Sequence, residues 1–472
     1  MTRRPAMWVF LAALLLRLAL AAVLPPNGLL PAGGDQGLYD RLAAGVARGD
    51  GLTFSRRDAD LKRLGNRERS DSLAEWVRRP DHHFGITPAG APSSVIPPLY
   101  PLVLAGVYRL AGPGNYLAVR LLQALLGALA ALAVYGAARC CFRGDRLVAL
   151  IAGLVTAAYP YLVYYSGLLA GENLYIPLLA ATVWALTCLV AGSGAALPGT
   201  GERLPFVPRP FVLASLVGLL AGLTFLTRSS ILLFLPVAAL FMFHALGRRR
   251  GAVAVLLCGL AFTLSVSPWV VRNYRVHGEF VLMPTKGGLN LWMRNHPDVV
   301  RPEFVGAGLG FPDDLAARLE KTELLEYPDF EGLSEVERNR LITGRALTFI
   351  RANPTYFSAL CLRRFVWLMS VTGSKSRGAP YLAAGLLSYG LVLPLFAAGA
   401  YLAWRRRVAT ALVPVSVIVY TIALHTLFHG GIRYRLPVDP LMGVLAAYAA
   451  VELWRWVRWP RGGGGTEQED GC

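Results

Sequence analysis

The chain has 472 residues, of which 55% are hydrophobic and only 16% charged, and its mean hydropathy is +0.46. A soluble protein of this length carries about a quarter charged residues, so these figures exclude a soluble domain with one anchor. The formal net charge of +18 would point to nucleic acid in a soluble protein. Here many arginines cluster at the ends of apolar blocks, so anionic headgroups and lipid phosphates are the expected partners, and nucleic acid is not.

Taken in chain order, the first apolar block, 7–24, lacks a small-residue cleavage motif and runs into Leu24-Pro25-Pro26. It is read as a retained span. Gly33-Gly34-Asp35-Gln36-Gly37-Leu38-Tyr39 follows, leading into a surface helix whose apolar positions are Leu42, Ala43, Val46 and Ala47. An Asp at the membrane boundary could act as a general base toward a headgroup, or it could cap that helix. The apolar stretch 98–111 is too short for a comfortable span. Spans are predicted at 117–138, 147–166 and 173–191, with Gly171-Glu172-Asn173 at the outer end of the third and fourth. An ionisable residue in an apolar run is a functional candidate, though Glu172 could also be a solvated interfacial residue. Asp35 and Glu172 end on the same side and could share a divalent cation through oxygen ligands.

Further spans are predicted at 211–226, 229–246 and 251–271. Gly218 and Gly222 form a small-xxx-small pair suited to helix packing. Arg228 separates two apolar blocks, and Arg272, Arg275 and Lys286 follow the seventh span. The stretch 356–371 is interrupted by Arg363 and Arg364, and an arginine near the bilayer centre costs about 2.5–3.5 kcal/mol even on the lenient insertion scale. It is therefore placed, like 98–111, as a helix at the outer surface. The last spans are 380–403, 408–428 and 436–457, and His429-Gly430-Gly431-Ile432-Arg433-Tyr434-Arg435-Leu436-Pro437 joins the final two. Several arginine forks converging at one depth could hold a lipid phosphate; snorkelling explains any one of them singly. His82-His83, His425 and His429 come with no HExxH motif and are read as interfacial polar residues. The six cysteines show no CxxC and no spacing that suggests a disulfide or a metal site.

Ten spans place five arginine clusters on one side: Arg3-Arg4, Arg139–Arg146, Arg248–Arg250, Arg405–Arg407 and Arg455–Arg461. By the positive-inside rule that side is cytoplasmic and holds both termini, while 25–116 and 272–379 are external. Twelve crossings follow if 98–111 and 356–371 also span. The predicted organisation is an all-α polytopic protein. It comprises a transmembrane module over 1–271 with the first external loop at 25–116, an external segment 272–379, C-terminal spans within 380–461, and a Gly-rich, then acidic tail 462–472 read as disordered.

The ordered set Gly34-Asp35 with Tyr39, Pro97-Pro98-Leu99-Tyr100-Pro101, Arg120, Gly171-Glu172-Asn173, Thr227-Arg228 and Arg433-Tyr434-Arg435-Leu436-Pro437 resembles a known family. It is similar to the bacterial branch of the protein O-mannosyltransferase superfamily, which includes the aminoarabinose transferases of lipid A. The resemblance covers nearly the whole chain and implies a GT-C fold and a polyprenyl-phosphate sugar as donor. It also implies an acceptor hydroxyl on a lipid, glycan or protein, and chemistry at the outer face of the cytoplasmic membrane. By that resemblance Asp35 is the catalytic base and Glu172 the second acidic residue. Arg228 and Arg433 suit the carrier phosphate. Tyr39, Arg272, Lys286, Tyr434 and Arg435 complete the candidate substrate-binding set, and Asp35 with Glu172 is the candidate site for a divalent cation. Family members often have Asp-Glu where this chain has Asp35-Gln36. Their larger soluble external domain has no evident counterpart in 272–379. A transporter or flippase for a lipid-linked sugar would use the same arginines, but it predicts polar or broken helices at mid-membrane and repeat symmetry. A non-catalytic envelope scaffold would leave Asp35 and Glu172 dispensable.

Overall fold

A computed structural model describes residues 4–26, 35–53, 91–192, 209–295, 330, 332–371 and 379–458. Gly33, Gly34, His82, His83 and the tail 462–472 lie outside the described residues. Among the described residues the chain is helical, with one isolated bridge between Thr53 and Pro92 and no strand.

The first half opens with α1 (Arg4–Val23), the amphipathic α2 (Asp35–Arg48) and the short α3 (Leu99–Ala111). α4 (Tyr116–Cys141) and α5 (Arg146–Ala158) start where side chains satisfy their first N–H groups. Asn115 accepts from the Ala118 amide at 3.1 Å, and Asp145 accepts from Leu147 and Val148 at 3.0 and 3.2 Å. Pro160 opens α6 (Pro160–Ser166), and because proline cannot continue the ladder of α5 the pair bends by 50°. Arg17, buried in the middle of α1, donates Nη1 to the carbonyls of Ala13 and Ala157, 3.0 Å each. It thus serves a carbonyl at the broken end of α5. Gly127 of α4 leaves the notch, since a Cβ there would collide with the Arg17 guanidinium.

α7 (Glu172–Gly192) and α8 (Pro210–Phe225) follow, then a 3₁₀ turn, Ser229–Phe234, leads into α9 (Leu235–His277). α9 is not one rod. Gly247 has φ 74° and ψ 174°, outside the helical region. A Cβ on Gly251 would sit 2.8 Å from the Phe243 Cα. Residues eight apart in a continuous helix are about 12 Å apart. The chain therefore doubles back at Gly247-Arg248-Arg249-Arg250, and glycine supplies the positive φ of the turn.

Neighbouring contacts give the helix directions. Val9 and Arg17 of α1 meet Gly153 and Ala157 in the same order on α5, so those two run parallel. Gly136 of α4 meets Trp184 of α7, and Cys140 pairs with Cys188. α4 and α7 are therefore also parallel. The Cys140–Cys188 pair, with Cα atoms 5.5 Å apart, is a contact that the cysteine spacing did not suggest. They are 48 residues apart in sequence, and only the packing of two helices brings them together. Gly218 and Gly222 face Cys258 and Ser265, so α8 packs closely along the second limb of α9.

The second half comprises α10 (Gly287–Asn295), α11 (Glu335–Ala352), α12 (Pro354–Met369) and α13 (Ala379–Gly385). α13 passes through a π turn, Leu386–Gly390, into α14 (Leu391–Arg405); α15 (Leu412–Phe428), α16 (Ile432–Arg435) and α17 (Asp439–Arg458) close the described chain. Ser334 and Glu337 form a capping box at the start of α11. In α12, Arg363 and Arg364 are buried, and Arg364 donates to the carbonyls of Leu427 and Arg294 at 2.8 and 2.6 Å. Its charge is thus met by protein and not by lipid.

Three of the five arginine clusters share one end of the bundle. Arg455 pairs with Asp145 at 2.6 Å, Arg406 pairs with Glu452 at 2.5 Å, and Thr410 donates to the Cys141 carbonyl at 2.7 Å. Among the described residues, six helices are long and apolar enough to cross a membrane, or seven when the bent pair α5–α6 counts as one span. The expected ten is not confirmed by that measure. Pro210–Phe225 is shorter, and Ser229–His277 counts as a single segment despite the turn at Gly247.

Candidate functional site

The site is assembled from five separate stretches of chain, around Asp35, Glu172, Arg228, Lys286 and Arg433. Asp35 is the first residue of α2. Gln36 accepts from the Leu169 amide at 3.0 Å, which docks the start of α2 onto the 166–171 turn. That turn is itself held by two buried amides. Gln123 Nε2 donates to the carbonyls of Ser166 and Leu168 at 2.8 and 3.0 Å, and Asn173 Nδ2 donates to Tyr165 and Leu168 at 2.9 and 3.0 Å. Tyr100 donates to Gln123 Oε1 at 2.7 Å. Glu172, 2% exposed, emerges from this turn as the first residue of α7.

Arg433 comes from the opposite end of the sequence. Gly431 has φ 125°, and a Cβ on Gly430 or Gly431 would press on Arg364 Cα or the Trp367 ring at 2.8 and 2.9 Å. Two glycines thus let the α15–α16 connection lie against α12 and present Arg433.

The charged groups meet in one chain of ion pairs. Arg433 Nη1 lies 2.6 Å from Asp35 Oδ2. Its Nε and Nη2 make a fork on Glu172, 2.6 Å to Oε1 and 3.1 Å to Oε2. Arg228 Nη2 reaches Glu172 Oε1 at 3.3 Å, and Lys286 Nζ reaches Asp35 Oδ1 at 3.3 Å. Three cations therefore face two carboxylates. Burial would lower the Arg433 pKa, but Glu172 and then Asp35 outweigh it and hold the group charged. Tyr39 packs edge-on to Tyr100 with centroids 4.9 Å apart. Gly171 admits its hydroxyl, which a Cβ there would meet at 3.1 Å. Burial, then Asp35 and Glu172, push the Tyr39 phenol up, so it stays a neutral hydrogen-bond donor.

Tyr434 lies beside the network. The Arg228 guanidinium carbon is 5.2 Å from its ring centroid, and the His425 and His429 rings are 5.0 and 4.8 Å from it. Burial, then the charge of Arg294, holds the His429 pKa well below its usual value, so that imidazole is neutral.

The structure thus brings together Asp35, Glu172, Tyr39, Arg228, Lys286, Arg433 and Tyr434. Two expected members lie elsewhere. Arg272 Nη1 bonds the Ser93 carbonyl, Ser94 Oγ and Asn273 Oδ1 at 2.9, 2.9 and 3.0 Å, tying the segment before α3 to the end of α9. Arg435 is fully buried, paired with Asp439 at 2.9 Å and bonded to the carbonyls of Leu368 and Ser370 at 2.6 and 3.0 Å. Its guanidinium covers the Tyr389 ring at 3.2 Å. This corrects the expectation that Arg435 binds substrate, because no part of it is accessible. Arg120, of the ordered motif set, is likewise spent on the carbonyls of Gly167 and Pro25 at 3.3 and 2.6 Å.

The Asp35–Glu172 pair also departs from the expected shared cation site. The Arg433 fork lies between the two carboxylates, where a divalent cation would have to sit. Among the described residues no group of three or more His, Cys, Asp or Glu side chains converges. The donors as arranged do not fit a resident metal.

Residues 95–201 match the family model described as dolichyl-phosphate-mannose-protein mannosyltransferase. The whole chain is similar in fold to the oligosaccharyltransferase AglB from Archaeoglobus fulgidus, solved in complex with an inhibitory peptide and a dolichol-phosphate. The TM-score is 0.53 and the identity 16%, over 98% of this chain and 52% of that one. An Archaeoglobus fulgidus oligosaccharyltransferase in complex with Zn and sulfate matches with TM-score 0.53 and 15% identity, over 95% of this chain and 49% of that one. ArnT from Cupriavidus metallidurans, bound to undecaprenyl phosphate, aligns over 96% of this chain and 78% of that one, but with TM-score 0.36 and 14% identity. The chain spans about half the length of the archaeal structures. No curated protein sequence matches it.

Proposed function

We propose, from the GT-C membrane-enzyme fold that the archaeal matches show, that the protein is an inverting glycosyltransferase. It moves a sugar from a polyprenyl phosphate to an acceptor hydroxyl at the outer face of the cytoplasmic membrane. The observation that carries this reading is the chain of ion pairs Lys286–Asp35–Arg433–Glu172–Arg228. It links an acid on the first external loop to arginine forks suited to a phosphate. A transporter needs no carboxylate held in this way, and a scaffold needs none of the five.

The chemistry follows from the groups present. A carboxylate offers about four acceptor positions, and the two cations on Asp35 fix its orientation. Asp35 takes the proton of the acceptor hydroxyl as that oxygen attacks the anomeric carbon. The bond from this carbon to the carrier phosphate oxygen breaks, and the configuration inverts. The charge left on the phosphate meets cations that are already in position, so little reorganisation is needed. Glu172 orients the two arginines. The Tyr39 phenol is a neutral donor beside the carboxylates and suits a sugar hydroxyl.

Asp35→Asn keeps the shape and removes the proton acceptor. Transfer of radiolabelled sugar from a polyprenyl phosphate to membrane acceptors should fall by roughly 10²–10⁴, the usual span for general-base catalysis, while donor binding survives. Full transfer by Asp35→Asn would remove the base from the scheme and leave the fold untouched.

A further inference from the structure

Buried polar groups in folded proteins almost always have partners, and an exception marks a strained group or a missing ligand. Among the described residues, Arg228 Nη1 and His425 Nδ1 are both buried without a hydrogen-bond partner. The two side chains are neighbours: both lie against the Tyr434 ring, at 5.2 and 5.0 Å. His425 is 9% exposed. Arg228 is held from the other side, since its Nη2 is on Glu172 at 3.3 Å. Nη1 of the same guanidinium makes no bond to that carboxylate.

We propose that Arg228 Nη1 and His425 Nδ1–H form the subsite for the donor's phosphate, with Tyr434 as its floor. The proposal rests on the glycosyltransferase reading and gives the site a direction. The acceptor end is the Asp35–Lys286 pair. The leaving-group end is the Arg228–His425 pair, linked to Asp35 through Arg433 and Glu172. An inverting displacement needs two such ends, because the base and the departing phosphate stand on opposite sides of the anomeric carbon. The recognised chemistry is a phosphate oxyanion accepting one bond from a fixed cation and one from an imidazole in the Nδ1–H tautomer. His425 then acts in binding, and Asp35 in turnover.

The test measures binding of a polyprenyl phosphate to the full-length protein in lipid nanodiscs, with the parent polyprenol and inorganic phosphate as comparison probes. His425→Leu should weaken polyprenyl phosphate binding about tenfold or more, the scale of one hydrogen bond to a charged group. His425→Asn, whose amide can place an N–H near the Nδ1 position, should restore most of it. Polyprenol binding should be the same in all three proteins. If inorganic phosphate competes in a His425-dependent way, the subsite reads phosphate alone; if it does not compete, the lipid-linked phosphate is the ligand. Unchanged polyprenyl phosphate binding in His425→Leu overturns the proposal. So does an equal loss of polyprenol binding, or failure of Asn to restore binding, since either makes His425 a packing residue. These outcomes are independent of sugar transfer by Asp35→Asn, which tests the enzyme reading itself.

Discussion

At the residue scale, the position that organises the site is Glu172. It is almost fully buried, and two guanidiniums meet on it, Arg433 through a fork and Arg228 through one nitrogen. Removing one partner of a buried ion pair leaves uncompensated charge and costs about 3–5 kcal/mol. Glu172→Gln should therefore lower the thermal unfolding midpoint and reduce donor binding together, whereas Asp35→Asn reduces turnover alone. Arg433→Ala should lower donor affinity and turnover together, because it takes a cation from Glu172, which orients Arg228, and also from Asp35. Donor titrations and thermal melts on the three variants separate these roles. Wild-type melting and donor binding in Glu172→Gln would show that the arginines are held by something else. Asp35, Glu172 and Arg433 could be picked out from the sequence because each is an ionisable residue bordering a long apolar run, where a charge is costly without a purpose. The same rule could not separate Arg433 from Arg435, two residues away. Which of the two faces the site depends on the one-turn helix α16 and on Asp439, which claims Arg435. Gln123 carries no signal in the sequence because an amide bears no charge, although it lies within a predicted apolar span.

At the scale of elements, apolar block length locates the helices well but says little about how they pack. The Gly218–Gly222 spacing is the exception, since small residues one turn apart mark a close approach, and both face α9. A Cβ on Gly218 would run into the Cys258 carbonyl, whereas one on Gly259 in the neighbouring helix meets nothing within 4 Å. Ala is the better helix former by about 1 kcal/mol, and forcing atoms into a packed contact costs about 1–3 kcal/mol. Gly218→Ala should lower the unfolding midpoint of the purified protein, and Gly259→Ala should leave it unchanged or raise it. Equal effects would mean that α8 and α9 are not in the close register described. Arg17 and the Cys140–Cys188 pair show what patterns along one helix cannot reveal. Arg17 depends on a notch at Gly127 and on a carbonyl at the break before Pro160. The cysteine contact depends on α4 and α7 running parallel.

At the scale of the whole molecule, the question is how often the chain crosses and which end faces the cytoplasm. Residues 229–277 decide part of the count. As a single straight helix this segment would be about 74 Å long, more than twice the roughly 30 Å hydrocarbon core. The turn at Gly247 divides it into two limbs with Arg248, Arg249 and Arg250 at the bend, which supports reading it as two crossings. The end of the bundle that gathers Asp145, Arg406, Glu452 and Arg455 carries the arginine excess expected of a cytoplasmic face. The ion-pair network of Asp35, Glu172 and Arg433 is separated from it by the length of α7. An even number of crossings then puts both termini with the basic end and 272–379 with the site. Reporter fusions at Gly310, within that segment, and at Gly462, near the C-terminus, should report opposite sides of the membrane, with Gly462 cytoplasmic. A third fusion, at Gly247, should agree with Gly462 if the turn is a loop on the basic side. Gly310 and Gly462 both on the cytoplasmic side would make the count between them even and move the site to the cytoplasmic face. There a nucleotide sugar would be within reach, and a lipid-linked donor would no longer be required.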